Sequence, residues 1–564
     1  MAYDYIIVGG GSAGCVLANR LSADPSVKVL LLEAGGSDWN PLFRMPAGFA
    51  KMTKGVASWG WSTVPQKHLN GRVIWYTQAK VIGGGSSINA QLYTRGNAKD
   101  YDAWVTDAGA KGWSYREVLP YFIRSEDNER LVNAYHGYGG PLGVSYPINP
   151  LPISHAFIRA AQELGIPFNA DFNGAVQDGM GHYQLSTRNA ERSSASSAFL
   201  KPVRSRANLT VRLNTQTLKI DIEKGRVTGV TVATGRGIET LRADREVILS
   251  SGAIGSPRLL QLSGVGPADA LKAAGVPVVH DLPGVGSNLQ DHLDLYVICE
   301  CTGDHTFDRV AQLHRTVWAG VQYLLFKTGP VTSTLFETGG FWYADKQARS
   351  PEIQFHLGLG SGIEAGVAAM KNPGVTLNSA FLRPRSRGTV RLASGDPKAA
   401  PLLDPNYWAD PHDRKCAIEG LRLARDIMRQ PALKPFVLAE HLPGDDLNTN
   451  EELAQYAYRS AKTDHHPAGT CAMGIGPGAV VTPDLKLRGI EGLRVADASV
   501  MPFVPSCNTN APTIMVAEKA FLDGLLGNEP RDAGGSGRRS RPVAPAGDPG
   551  PRTMGCRRTA RCGA

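Results

Sequence analysis

Tyr5 to Glu33 reads YIIVGGGSAGCVLANRLSADPSVKVLLLE, and this stretch decides the fold. Tyr5-Ile6-Ile7-Val8 is a short continuous apolar run, as expected of a strand buried on both faces. Gly9 to Gly14 makes a tight turn. Cys15 to Leu21 has helical spacing, and Asp24-Pro25 stops it. Lys28 to Leu32 is a second apolar strand, ending at Glu33. Strand, helix and strand within about thirty residues predict a parallel βαβ unit.

The glycines fall as Gly9-x-Gly11-x-x-Gly14 between the strand and the helix. Gly9 permits the tight turn. Gly11 lets backbone approach a pyrophosphate, and Gly14 allows close helix–strand packing. The helix start, with Ser12 and Ala13, then turns its positive dipole end toward the phosphates. Glu33, followed by Ala34, ends the second strand, where an acid accepts the hydroxyls of a ribose. The context specifies a dinucleotide site without choosing between NAD and FAD, although its place at the amino terminus leans to FAD.

Further along, Val211 and Leu213 alternate in a strand. Leu218 to Ile222 and Val227 to Val232 look like a hairpin, and Glu246 to Leu249 is a buried strand. We expect these to form a second βαβ-like region. Residues 295 to 460 carry aromatics and short alternating runs such as Ile353 to Leu357, which suggest an antiparallel sheet facing a pocket. Leu493 to Asp497 reads as a strand returning to the first domain. No internal repeat is present.

The chain has 564 residues and a net charge of +9. That length suits more than one domain. Eight arginines and two aspartates between Arg531 and Ala564 supply +6 of the charge. The basicity therefore sits in a tail, not on a folded face, and nucleic-acid binding is not expected. From residue 529 the tail is Gly, Pro, Arg and Ser with almost no aliphatics, and it is expected to be disordered. The eight cysteines are scattered, with no CxxC pair and no Cys/His metal spacing, so we expect no metal and a reducing, cytoplasmic setting. Met1 to Asp4 lead into the first strand without a basic leader. No apolar run reaches about 18 residues, so no transmembrane segment is expected. Peripheral contact with a membrane stays open.

Ala79 to Asp102 reads AKVIGGGSSINAQLYTRGNAKDYD, and Gly252 to Gly266 reads GAIGSPRLLQLSGVG. Both resemble the signature stretches of the glucose–methanol–choline (GMC) flavoenzymes. Leu282 to His292 (LPGVGSNLQDH), Asp464 to Gly474 (DHHPAGTCAMG) and Leu493 to Lys519 (LRVADASVMPFVPSCNTNAPTIMVAEK) add to the resemblance, which runs in order from about Tyr3 to Leu525. Met45 to Lys51, Pro65 to His68 and Leu313 to Pro330 are similar to bacterial L-sorbose dehydrogenases, with choline dehydrogenases and aliphatic alcohol dehydrogenases next.

The resemblance implies an α/β fold: an FAD-binding Rossmann-like domain plus an α+β substrate domain with an antiparallel sheet. The flavin domain would comprise 1–150, 190–294 and 462–528, and the substrate domain 151–189 and 295–461. It implies that Val81, Gly83, Gly85, Ser86, Asn89 and Ala90 line the flavin. Thr217 would present backbone to the adenine, with Asp497 and Ala498 near the pyrophosphate and ring. Some relatives carry a flavin-linking His where this chain has Ile88, so the FAD should be non-covalent.

The implied activity is oxidation of a primary alcohol or polyol, sorbose-like, to an aldehyde or ketone. Electrons would pass to a quinone- or dye-like acceptor. Choline dehydrogenase, a dioxygen-using oxidase and a lyase with silent flavin are the alternatives, and a monomer or homodimer is expected. The catalytic base falls on His466, directly before Pro467, since His titrates near working pH. His465 is then a supporting residue. The second active-site position falls on Asn510, whose amide can hold an alkoxide, while neighbouring Asn508 reads as a turn former. His292 reads as a packed histidine. His356, alternating on its strand, is a candidate to face the substrate. Glu337 is a candidate to hold a cationic substrate, although acids occur there in relatives with neutral substrates.

Overall fold

The computed structural model describes residues 2–52, 55–361, 370 and 372–525. The expected disordered tail lies outside these residues. Strand β1 (Ala2–Val8), helix α1 (Ser12–Leu21) and strand β2 (Val29–Leu32) form the expected unit, with β1 and β2 parallel and Tyr5 opposite Val29. Ile6, Ile7, Val29, Leu30 and Leu31 are fully buried, which explains the unbroken apolar runs. The inward side of α1 presents Ala13, Val16, Leu17 and Leu21 to the same core. Burying each large side chain of that set stabilises the unit by about 1.5–3 kcal/mol.

This unit belongs to a seven-stranded sheet. Residues Leu209–Arg212 run parallel to β2, and the long strand Gly237–Leu249 runs parallel to β1. The antiparallel hairpin Gln216–Glu223 and Arg226–Thr234 extends the sheet beyond it. Leu493–Val495 pairs parallel with Val247–Leu249, the expected return to the first sheet. The expectation of a second βαβ-like region is corrected here. Those strands complete the first sheet, because a run read locally carries no information about which edge it will join.

A second seven-stranded sheet is antiparallel throughout and contains Gly179–His182, Leu293–Cys301, Phe336–Trp342, Ile353–Gly358 and Gly374–Phe381. All six residues of Ile353–Gly358 are buried, so its alternation separates two covered faces rather than core from solvent. Helix α2 (Gly252–Leu262) follows the Gly237–Leu249 strand, and helix α3 (Leu313–Phe326) precedes Phe336. Helix α4 (Asn510–Lys519) packs against α1.

Candidate active site

Two glycine turns, Gly9–Gly14 and Gly83–Gly85, meet at one end of a cavity of about 330 Å³. Gly9 has φ +105°, and a Cβ there would lie 2.5 Å from the Ser250 carbonyl oxygen. A Cβ on Gly14 would lie 1.9 Å from the Gly9 carbonyl, so Gly14 packs α1 onto the turn. Gly84, at φ +55°, approaches Gly11 so closely that a Cβ would sit 2.6 Å from its Cα. These glycines are required by the protein's own packing.

Gly11 and Gly85 differ. Both line the cavity, yet a Cβ on Gly11 would meet nothing closer than 3.8 Å, and one on Gly85 nothing within 4 Å. What a side chain would obstruct there is the cavity itself. The first turn of α1 has no side-chain cap and no acid, so its amides face the same space as a ready anion site. The buried hydroxyl of Thr217 has no partner among the described residues and lines the cavity. Open glycines, uncapped amides and an orphaned hydroxyl fit a dinucleotide such as FAD.

Glu33, Ala34, Ser12, Ala13, Asn89, Ala90, Asp497 and Ala498 also line the cavity, as does Ile88. Glu33 Oε2 accepts from the Gly10 amide at 2.8 Å and Oε1 from the Gly35 amide at 2.7 Å. Burial pushes its carboxyl up to about 7 against these bonds. Asp497 accepts from the Gly252 amide at 2.9 Å and from Ser256 Oγ at 2.5 Å, tying the Leu493–Val495 strand to the start of α2. Val81, Gly83, Gly14 and Ser86 do not line the cavity. They shape its wall: the Gly83 amide donates to Gly10 O at 2.7 Å, and Ser86 Oγ donates to Gly83 O at 2.6 Å. Buried Arg192, which sequence reasoning missed, clamps this wall through Nη1 to Asn89 O (2.6 Å) and Asn89 Oδ1 (2.7 Å).

Histidines gather at the other end. His466 is buried, and its backbone amide donates to Asp291 Oδ1 at 2.7 Å. Asp291 also accepts from Thr463 Oγ1 at 2.6 Å and from the Tyr407 hydroxyl, so one buried carboxylate secures the whole loop. His465 takes a left-handed φ of +60°, with its amide on Thr463 Oγ1 and its ring edge-on to Tyr76. Pro467 restricts His466 to extended backbone.

The imidazole of His466 has two distinct sides. Nδ1 lies 3.0 Å from His292 Nδ1 and 3.2 Å from Asp464 Oδ2. Nε2 lies 3.2 Å from Asn508 Nδ2. Thr94 Oγ1 (3.1 Å) and Gln354 Nε2 (3.0 Å) both donate to Asn508 Oδ1, which orients the amide so that Nδ2 is the donor. His466 Nε2 therefore accepts a hydrogen bond, and the ring proton belongs on Nδ1, which donates to His292 Nδ1. Burial, with His292 and His356 nearby, holds His466 well below its ordinary pKa, so it is neutral.

His356, His465, Asn508 and Asn510 line the cavity as well. Burial pulls His356 down to about 3, and its Nε2 has no partner among the described residues. Asn510 is the first residue of α4 and accepts from Ser12 Oγ at 2.8 Å, which places its amide toward the glycine end. Asn508, read from the sequence as a turn former, makes the contact with His466. Nothing local distinguishes two asparagines two residues apart; the helix start between them does. Glu337 is not brought to the cavity. Its Oε1 accepts from Ser333 Oγ at 2.6 Å, and burial raises it to about 7 with only neutral hydrogen-bonding groups against it. His292, read as a packed histidine, is a direct partner of His466.

A GMC oxidoreductase family model matches residues 3–294 and its carboxy-terminal counterpart matches 384–517. The chain belongs to the GMC oxidoreductase family. It is 42% identical over 523 residues to an alcohol dehydrogenase [acceptor] of Pseudomonas putida, covering 92% of this chain and 95% of that one. It is 40% identical to an oxygen-dependent choline dehydrogenase of Photobacterium profundum, covering 94% of each. Pyridoxine 4-oxidase from Mesorbium loti superposes with a TM-score of 0.83 at 32% identity, covering 92% of this chain and 98% of that one. A formate oxidase from Aspergillus oryzae does so at 0.87 and 28%, covering 92% and 97%. The chain is an FAD-dependent oxidoreductase acting on CH–OH donors. No helix among the described residues is long and apolar enough to cross a membrane.

Proposed function

We propose that the chain oxidises a neutral primary alcohol or polyol to the aldehyde or ketone and delivers the electrons to an acceptor other than dioxygen. The neutral His466 imidazole, with Nε2 held as a proton acceptor on the cavity wall, carries this reading. The substrate hydroxyl takes the place of the Asn508 amide at His466 Nε2 and gives up its proton there, while Nδ1 keeps its hydrogen bond with His292 Nδ1 and Asp464 Oδ2 lies 3.2 Å away as the ring gains charge. An amide at the cavity wall, Asn508 or Asn510, donates to the developing alkoxide without competing for its proton. His356, unpartnered at Nε2, offers a further hydrogen bond to a second hydroxyl. FAD, when bound, supplies the acceptor for the carbon-bound hydrogen. Gly11, α1 and Thr217 would hold its adenine and phosphate end, and Gly85, Asn89 and Ala90 its ring end. With Ile88 in the wall, that flavin would be non-covalent.

Neutral substrate is favoured by charge. The acids lining the cavity are Glu33, Asp464 and Asp497; Glu33 and Asp497 accept backbone amide hydrogen bonds, and Asp464 lies 3.2 Å from His466 Nδ1. Glu337, the candidate for a cationic substrate, is elsewhere. We further assign residues 1–150, 190–294 and 462–528 to flavin binding, and 151–189 and 295–461 to substrate.

An anaerobic screen of flavin bleaching by sorbose, choline, benzyl alcohol, alkanols and glycols tests the reading. Bleaching by a neutral alcohol and not by choline is expected; bleaching by choline alone, or by no alcohol, would overturn it. Reoxidation by a quinone or dye faster than by dioxygen, with little hydrogen peroxide, is the result that supports a non-oxygen acceptor.

A further inference from the structure

Helix α3 carries Leu313, Val317, Trp318, Val321, Leu324, Leu325 and Phe326, all exposed. The described residues expose 23 large apolar side chains, and seven of them fall on this one 14-residue helix. Only Ala319 and Tyr323 are buried within it. Leu313 is 80% exposed, and Trp318, Leu325 and Phe326 are 67–68% exposed. Scattered surface hydrophobics are ordinary, whereas a contiguous set of this kind marks a contact surface.

The helix stands beside the cavity wall. The Tyr323 hydroxyl donates to Ala190 O at 3.2 Å, and Lys327 Nζ pairs with Glu191 at 2.6 Å, next to Arg192. The turn Pro330–Thr332 after it packs against Pro46–Gly48, and the chain then reaches Phe336, which lines the cavity together with Phe49.

Two features choose the occupant. The apolar side chains spread over most of the helix circumference and project from the body, so no groove awaits a shaped protein partner. A fluid apolar phase needs none. Residues 309 to 336 contain Arg309, Arg315 and Lys327 and no Asp or Glu. Arg315 pairs with Asp304 and Lys327 with Glu191 at the rim, while Arg309 has no ion pair among the described residues. With those two paired, Arg309 is the cation left beside the apolar face, and residues 309 to 336 of a second copy would offer it no acid. An anionic lipid surface would complement it.

We propose that α3 seats this enzyme peripherally on an anionic lipid bilayer, with its Leu, Trp and Phe side chains in the headgroup–acyl boundary and the cavity held near the membrane. The inference does not depend on the catalytic reading, because its test measures lipid binding.

The full-length flavoprotein is sedimented with vesicles of phosphatidylcholine alone and of phosphatidylcholine with phosphatidylglycerol. The comparison is with a variant carrying Trp318→Gln, Leu324→Gln and Leu325→Gln. Both proteins keep the arginine-rich tail, so any tail binding cancels. Binding to the anionic vesicles, reduced at least about tenfold in the variant with flavin content and elution volume unchanged, is expected. Absence of wild-type binding, or equal binding by the variant, would overturn the proposal. So would a wild-type dimer that becomes monomeric in the variant without any lipid binding, since a second copy would then cover the face. Should the triple variant lose flavin, quenching by brominated lipid decides. Wild-type tryptophan fluorescence should be quenched and that component lost in Trp318→Phe; no quenching in the wild type counts against the bilayer.

Discussion

The two ends of the cavity are built by opposite means. At the glycine end the structure presents backbone, with Gly14 packed on Gly9 five residues before it and Gly84 wedged against Gly11 between them. At the histidine end it presents side chains drawn from Asp291–His292, His356, Asp464–His466 and Asn508, with 174 residues between His292 and His466. At Gly9, Gly14 and Gly84 the first end tolerates no added atom, whereas Gly11 and Gly85 leave room for one. The second depends on which atom of each ring or amide faces its neighbour. Backbone cradles fail sterically and completely, whereas hydrogen-bonded clusters fail by degrees.

Substitution should expose that difference, and most sharply at Gly14. With a Cβ 1.9 Å from Gly9 O, Gly14→Val should yield no folded flavoprotein. Gly11→Ala, whose Cβ has 3.8 Å of clearance, should yield a folded protein that holds flavin more weakly. Flavin-to-protein absorbance and circular dichroism read both, and two variants behaving alike would end the distinction between packing and ligand-facing glycines. At the other end His466→Ala should lower turnover by about 100-fold or more with flavin retained. Normal turnover would remove His466 as the base.

Asn508→Ala should cost about tenfold in turnover, the value of one oriented hydrogen bond, with the pH profile displaced because the His466 tautomer loses its support. If Asn510→Ala is the more damaging of the two, the alkoxide is held from the helix start instead.

Acid should also act mainly through the histidine end. Burial keeps His292 and His356 neutral down to about 3, and His466 well below its ordinary range, while the unfolded chain protonates them near pH 6.5. Their contribution is full above that pH and lost as pH falls from it toward about 3, at roughly 1 kcal/mol per pH unit for each histidine. Melting temperatures from pH 8 to 4.5 should fall accordingly, and His356→Gln should flatten the slope. The smallest effect is expected outside both ends. Glu337 is raised from 4.5 to about 7, so the stability of its neutral form is full below pH 4.5 and is lost as pH rises from there to about 7. Glu337→Gln should gain on the order of 1 kcal/mol at pH 8 and nothing near pH 4.5, which denaturation at the two values would check.

Much of the glycine end was legible because its determinants are contiguous. A buried parallel strand needs an unbroken apolar run, and a turn that admits no Cβ needs glycine, whatever surrounds it. Motifs carried the reading further, to Gly83–Ala90 and to the His465-His466-Pro467 loop. The hairpin at 216–234 and the strand at 493–495 were readable from alternation and apolar runs, but their membership in one sheet was not, since pairing partners lie up to hundreds of residues apart. Arg192 carried no signal of its own: an arginine beside a serine run looks like a surface residue until the Asn89 carbonyl is placed against it.

The amino-acid sequence by itself determined the nucleotide turn, the two kinds of sheet and the histidine before Pro467, because each depends on residue type at short spacing. Only the tertiary structure decided which nitrogen of His466 accepts a hydrogen bond, that Asn508 and His292 are its partners, that Glu337 does not line the cavity, and that the apolar helix Leu313–Phe326 faces outward. Those are questions of which side chains share one small volume, and folding, not spacing along the chain, brings them together.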